Sequence, residues 1–154
     1  LKYKNQRSLA PYFSAAIEPL YHACPAPIDL MTVVPLSRTR IRERGYNQIA
    51  IVAKALQPQI KLPFIANAIQ RTRHTETQVG KTKQERAQNV YGAFQANPVI
   101  VQDKTVLILD DVYTTGATLN SCSNALRKAG ARQVIGITIA RAGLYQHQSA
   151  ELLS

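Results

Sequence analysis

The chain has 154 residues, with 19 Lys plus Arg against 9 Asp plus Glu, a formal net charge of +10 and a pI near 10. Its 45% hydrophobic fraction is ordinary for a folded domain; no apolar run approaches the roughly 20 residues that cross a bilayer, and no signal-peptide pattern opens it. The basic excess points to polyanionic partners, a pyrophosphate-bearing substrate or nucleic acid.

Such a length fits one α/β domain over residues 1–154. Cys24 and Cys122 are far apart and in unrelated contexts, so neither a disulfide framework nor a CxxC metal site is present. A reducing, cytoplasmic setting fits them.

From Leu1 to about Tyr21, apolar residues at Leu9, Phe13, Ile17 and Leu20 are spaced for a helix. Ser8 is the expected cap, with Pro11 in the first turn, and Pro19 is expected to bend or end the helix. His22 to Pro27 reads as a turn. Leu30-Met31-Thr32-Val33-Val34 is a strand closed by Pro35. Leu36 to Gln48 follows as a loop in which Arg38, Arg40, Arg42 and Arg44 alternate with other residues, and it leads into a helix with Ile49, Val52, Ala53 and Leu56 on one face. An Arg-rich loop after a strand reads as a phosphate clamp, because guanidinium forks match phosphate oxygens. Arg38 and Arg44, at its ends, are expected to face the pocket, with Arg40 and Arg42 turned away toward nucleic acid.

Leu62 to Ile69 is a further strand candidate. The stretch from Arg71 to Asn89 is polar, basic and without sustained apolar periodicity. Its Gly80-Lys81-Thr82 is not a P-loop, which needs Gly where Thr75 stands. Val106-Leu107-Ile108-Leu109 is a strand buried on both faces, ended by Asp110 and Asp111. A Thr/Gly turn leads into a helix with Leu119, Cys122, Leu126 and Ala129 on its apolar face, Cys122 being a buried small hydrophobe, and Gly130 as its C-terminal cap. The turn and helix N-terminus form an anion site, while the carboxylates suit hydroxyls or a divalent cation. Together they describe a sugar phosphate. Gln133 to Ala140 is the last strand. Strands alternating with helices predict a mainly parallel, twisted α/β sheet flanked by helices.

Val106–Thr118 resembles the phosphoribosyl-pyrophosphate signature of the type I phosphoribosyltransferases, whose fold is of this Rossmann-like kind. The resemblance implies that Thr114, Thr115, Gly116, Ala117 and Thr118 hold the ribose 5-phosphate. Asp110 and Asp111 would hold the ribose hydroxyls and, directly or through the ribose, Mg²⁺. The Arg-rich loop resembles that family's pyrophosphate loop, implying that Leu36, Ser37, Arg38 and Arg44 touch the pyrophosphate, joined by Lys81 and Arg86. Residues 71–89 resemble its flexible lid. Val34-Pro35-Leu36, Arg44-Gly45-Tyr46-Asn47-Gln48, and Gln78, Arg86 and Asn89 are similar to the competence-protein ComF family, as is Leu1-Lys2-Tyr3.

This resemblance implies phosphoribosyl pyrophosphate as ligand and an association with competence and DNA uptake. Single-stranded DNA or DNA-processing proteins are the partners it implies, either for an active transferase or for an accessory protein that keeps the pocket. Two features depart from the family. The N-terminal zinc-binding region with paired CxxC motifs is absent from this sequence, so zinc is not implied. Thr114 stands where purine-salvage members carry Asp, which leaves the general base and the acceptor unassigned.

Overall fold

The computed structural model describes residues 9–72, 82, 84, 92–113 and 115–141. In chain order the elements are α1 (Ala10–His22), β1 (Leu30–Val33), α2 (Arg38–Arg44), α3 (Gln48–Ile60), a 3-10 turn at Ala66–Ala68, β2 (Ile69–Arg71), β3 (Phe94–Ala96), α4 (Pro98–Val101), β4 (Thr105–Tyr113), α5 (Ala117–Lys128) and β5 (Gln133–Arg141).

The aliphatic run of β4 takes the centre of a parallel sheet in the order β1-β4-β5. Leu30 to Val33 lie beside Val106 to Leu109, and Thr105 to Leu109 beside Gln133 to Ile137. Val106, Leu107, Ile108 and Leu109 are each at most 1% exposed, as a strand with both faces covered must be. Alternation sorts them. Val106 and Ile108 pack with Cys122 and Leu126 of α5 and with β2 and β3. Leu107 and Leu109 pack with Ile17 of α1 and with Val52, Ala53 and Leu56 of α3. β2 and β3 form a separate antiparallel pair, Ile69 opposite Ala96 and Arg71 opposite Phe94.

Several local expectations are corrected. The cap position of α1 falls on Leu9 and carries no side-chain cap bond, so Ser8 is not the cap. Leu9 and Leu20 are 43% and 51% exposed, and the buried face is Ala10, Ser14 and Ile17. α1 continues through Pro19 to His22, because Pro19 lies in the last turn and its carbonyl still accepts from Ala23 N–H at 3.0 Å. The strand anticipated over 62–69 shrinks to a rung at Phe64 beside Met31, followed by the 3-10 turn; only Ile69 to Arg71 form a ladder.

The acidic pair does not end its strand. β4 runs on to Tyr113, with Asp110 paired to Thr138 and Tyr113 to Arg141 of β5. Gly130 follows α5 at φ +96, its N–H bonding Arg127 O at 3.0 Å while Ala131 N–H reaches Leu126 O at 3.1 Å. This is the double bond of a Schellman ending.

The Arg-rich stretch is a helix rather than a loop. Ser37 Oγ accepts from Arg40 N–H at 3.3 Å at its start, and Gly45 at φ +79 closes it with N–H to Ile41 O at 2.7 Å. No residue of α2 is buried, so hydrophobic periodicity had nothing to report.

Candidate functional site

β1 and β4 are parallel neighbours, so their C-terminal ends deliver Leu36, Ser37 and α2 next to Asp110, Asp111 and the 115–118 turn. Ligand sites in open α/β sheets lie at this edge. Asn47 holds the α2 connection down, its Nδ2 donating to Val34 O at 3.0 Å while Val34 N–H bonds Leu109 O at 2.9 Å.

Strand alternation sends the two acids to opposite faces. Asp110 continues the Val106 and Ile108 series, toward α5, and its charge acts on the Cys122 thiol there. Asp111 continues the Leu107 and Leu109 series, and its Oδ2 lies 3.9 Å from Arg44 Nη1. Asp110 Oδ1 accepts the N–H of Asp111 at 2.8 Å. Burial, aided by the neighbouring Asp111 carboxylate, pushes the Asp110 carboxyl up to about 7, while the bond from Asp111 N–H and the positive charge of Arg40 act against that rise. The Arg44–Asp111 pair is more than a third exposed on each side, so it orients more than it stabilises.

The turn after β4 narrows around Gly116, which is buried at φ +78 and forms the N-cap of α5. Thr115 Oγ1 accepts from Ala117 N–H at 3.3 Å, and Asn120 N–H makes the first helical bond to Gly116 O at 2.8 Å. The N–H groups of Thr118 and Leu119 have no acceptor within the helix and point at the turn. No acidic side chain occupies the first turn, and Arg127 and Lys128 occupy the last, so the positive end of the helix field faces the turn undiminished by its own residues.

The structure thus gathers Asp110, Asp111, Thr115, Gly116, Ala117 and Thr118 with Leu36, Ser37, Arg38 and Arg44 at one sheet edge. Ser37 Oγ is engaged as the cap of α2. Thr114, Lys81 and Arg86, Gln78 and Asn89, and most of the anticipated lid lie outside the described residues.

Arg40 was expected to face away from the pocket, whereas α2 sets it four residues before Arg44, whose guanidinium lies 3.9 Å from Asp111. On a helix, residues four apart share a face, so Arg40 goes with Arg44 and Arg38 with Arg42. Had Ser37 and Gly45 been read as cap and terminator, that pairing would have been legible. Arg71, anticipated as the first residue of the lid, instead ends β2 opposite Phe94.

No group of three or more His, Cys, Asp or Glu that could hold a metal occurs among the described residues. Two carboxylates fit a Mg²⁺ that keeps waters and takes its other oxygens from a bound phosphate or sugar, rather than a protein-caged ion. No helix among the described residues is long and apolar enough to cross a membrane.

A family model, the phosphoribosyl transferase domain, matches residues 41–151. Competence protein F of Haemophilus influenzae is 37% identical over 111 residues, which are 71% of this chain and 48% of that protein. Competence protein ComFC of Bacillus subtilis is 31% identical over 113 residues, 73% of this chain and 44% of the relative. DNA utilization protein YhgH of Escherichia coli (strain K12) is 33% identical over 106 residues, 69% and 46% respectively. The chain therefore spans about half the length of the curated relatives it matches.

Among solved structures, the glutamine phosphoribosylpyrophosphate amidotransferase from B. subtilis superposes with a TM-score of 0.55 at 17% identity, over 89% of this chain and 26% of that one. Adenine phosphoribosyltransferase from Thermoanaerobacter pseudethanolicus gives 0.51 at 16%, over 84% and 67%. These two likenesses concern the fold. With its parallel sheet and the matched domain, the chain belongs to the phosphoribosyl transferase domain family, as a ComF-type member with the type I fold.

Proposed function

We propose that the edge formed by β4, α5 and α2 binds phosphoribosyl pyrophosphate together with Mg²⁺, in a ComF-type protein that serves the use of imported DNA. One observation carries the reading: a carboxylate pair stands on β4 a few residues before the Gly116 cap of α5, with the Arg44 guanidinium of α2 3.9 Å from Asp111. The turn at 115–118 offers N–H groups to a 5-phosphate. Asp110 and Asp111 suit the ribose hydroxyls and would hold the cation directly or through the sugar. Arg40 and Arg44 suit the diphosphate.

The reaction that fits is transfer of the ribosyl group to a nitrogenous acceptor. The C1–O bond breaks with its electron pair leaving on pyrophosphate, the acceptor nitrogen forms the new bond to C1, and its proton passes to solvent. When bound, Mg²⁺ adds charge neutralisation on the phosphates. The arginines of α2 would offset charge gathering on the departing group. The setting we propose is the cytoplasm, where isolated thiols stay reduced.

A second reading is supported by the +10 charge and by α2, all of whose residues lie at the surface with four arginines among seven. In it the protein is a nucleic-acid-binding accessory that keeps the pocket. Calorimetric titration with phosphoribosyl pyrophosphate, with and without Mg²⁺, tests the first reading. Saturable, Mg²⁺-dependent binding supports it, and no heat at millimolar ligand rejects it.

A further inference from the structure

At the C-terminal end of β1 the ladder to β4 stops halfway through a pair of bonds. A parallel pairing is complete when a residue donates to one residue of the neighbouring strand and accepts from the residue two further on. Met31 shows it beside Phe64: its N–H bonds Pro63 O at 2.8 Å, and its carbonyl accepts from Ile65 N–H at 2.9 Å. Val34, next in register after Val33 and Leu109, makes the first bond only, from its N–H to Leu109 O at 2.9 Å. The second would come from Asp111 N–H. Instead, Val34 O accepts from Asn47 Nδ2 at 3.0 Å, and Asp111 N–H turns to Asp110 Oδ1 at 2.8 Å.

Asn47 thus stands in for Asp111 at the last carbonyl of β1. It occupies the N-cap position of α3, where an Asn side chain ordinarily accepts from the first helical N–H groups, yet it makes no cap bond there. Its side chain serves Val34 and leaves its own helix without that bond. Val34 is buried, so its carbonyl needs a donor from the protein, and Asp111 N–H is the one the ladder would supply.

The consequences meet at the candidate site. With Val34 O taken, β1 and β4 part before the acidic pair, and the Asp110 carboxylate gains a backbone donor. The same bond ties together the two ends of the 35–46 excursion, which carries Ser37, α2 and the Arg44 guanidinium 3.9 Å from Asp111. One amide therefore joins the arginine wall to the strand end beside the carboxylates.

We propose that Asn47 is a positioning residue of this site: by occupying Val34 O it frees Asp111 N–H to hold the Asp110 carboxylate and keeps the strand edge open for a ligand. The proposal rests on the phosphoribosyl pyrophosphate reading above, and Asn47 acts in it through the acidic pair rather than on the ligand. Without the Asn47 amide, Asp111 N–H completes the rung to Val34 O, releases Asp110 and draws the acidic pair toward β1.

The test pairs two measurements on the full chain. Scalar couplings across hydrogen bonds, read by NMR on the unliganded protein, report which nitrogen faces the Val34 carbonyl. The wild type should show the Asn47 Nδ2 coupling and none from Asp111 N. Asn47→Ser is neutral and a good helix cap but too short to reach Val34 O, so it should show the Asp111 coupling instead. Calorimetry with phosphoribosyl pyrophosphate and Mg²⁺ should then find Asn47→Ser weaker by about tenfold or more. Asn47→Gln keeps an amide donor but is a poorer cap, and it should stay within about threefold of the wild type. A residue that merely supported α3 would give the opposite order, with Asn47→Ser the milder change. Thermal unfolding ranks the variants for stability alongside.

An Asp111 coupling to Val34 in the wild type overturns the proposal. So does full sugar-phosphate affinity in Asn47→Ser, or weaker binding by Asn47→Gln than by Asn47→Ser. Should Asn47→Ser not fold, the wild-type couplings and Asn47→Gln decide the matter. Failure of the wild type to bind phosphoribosyl pyrophosphate rejects the earlier reading alone, because the couplings are read without ligand.

Discussion

The ring of Tyr113 lies over Gly116, so that a Cβ built on Gly116 would fall 2.7 Å from the Tyr113 hydroxyl and 2.9 Å from a ring carbon. Two constraints coincide there. Tyr113 is the last residue of β4, and Gly116 begins α5 at φ +78. The strand end and the helix start are thereby held against each other across a tight turn.

Gly116→Ala is expected to destabilise the fold by about 1–2 kcal/mol through the left-handed backbone alone. The clash with Tyr113 adds to this, though a side-chain tip can swing aside where a backbone cannot. Tyr113→Ala should therefore relieve only part of the cost. Urea unfolding of the two single variants and the double variant separates the terms. A double variant as stable as Tyr113→Ala would show that the backbone conformation carries no strain.

The raised Asp110 carboxyl makes a pH prediction with a definite sign. Its folded value of about 7 exceeds the ordinary 3.8, so the folded state holds the proton more tightly. The resulting stability is complete below about pH 4 and is lost as pH rises through about 7. Asp110→Asn, which cannot ionise, should raise Tm relative to wild type at pH 8 and leave it unchanged near pH 4. The gain should be on the order of 1 kcal/mol, discounted because the carboxyl is partly solvated. The same variant should bind the sugar phosphate more weakly, a cost of function set against stability. A Tm difference independent of pH would remove burial as its cause.

The sequence made β4 legible because Val106 to Leu109 leave no room for alternation and are buried on both faces. It made α5 legible too, since Cys122 and Leu126 recur at helical spacing and Gly130 stops it. α2 was hidden. Its arginines alternate with a period of two, which imitates an extended loop, and none of its side chains enters the core. Arg40 was set apart from Arg44 by its place inside the run, whereas four residues along a helix put the two on one face. Arg71 read as the start of the polar stretch because Phe94 is far along the chain, and only the β2–β3 ladder brings the two together.

At the far end of the sheet, Asp29 Oδ2 accepts from Thr105 N–H at 2.7 Å and from Arg132 Nη2 at 3.1 Å. Asp29→Ala should cost about 2 kcal/mol, since it removes a charged acceptor from a half-buried backbone donor. Arg132→Ala should cost under about 1 kcal/mol, because its side chain is 62% exposed. Both should leave sugar-phosphate affinity intact, since β1 and β4 begin there and the site lies where they end. Denaturant unfolding paired with calorimetry checks both halves, and weaker sugar-phosphate binding in either variant would contradict this division.

The sorting of arginines by helix face gives the sharpest test of α2. Arg44 lies toward the acidic pair, 3.9 Å from Asp111, and Arg40, four residues before it, shares its helix face. Arg38 and Arg42 share the other face. Arg40→Ala with Arg44→Ala should lower sugar-phosphate affinity about tenfold or more, because charge-assisted bonds to the diphosphate disappear. Arg38→Ala with Arg42→Ala should change it little. For single-stranded DNA the expectation reverses, with the outer pair reducing the salt slope of binding by about one unit for each DNA phosphate no longer neutralised. Two titration series, calorimetry with phosphoribosyl pyrophosphate and fluorescence anisotropy with labelled DNA at several salt concentrations, read both quantities on the same variants. Equal effects of the two double variants on the sugar phosphate would mean that the helix faces do not divide the labour. An unchanged DNA salt slope in the outer pair would mean that α2 is no nucleic-acid surface, whatever the net charge of the chain.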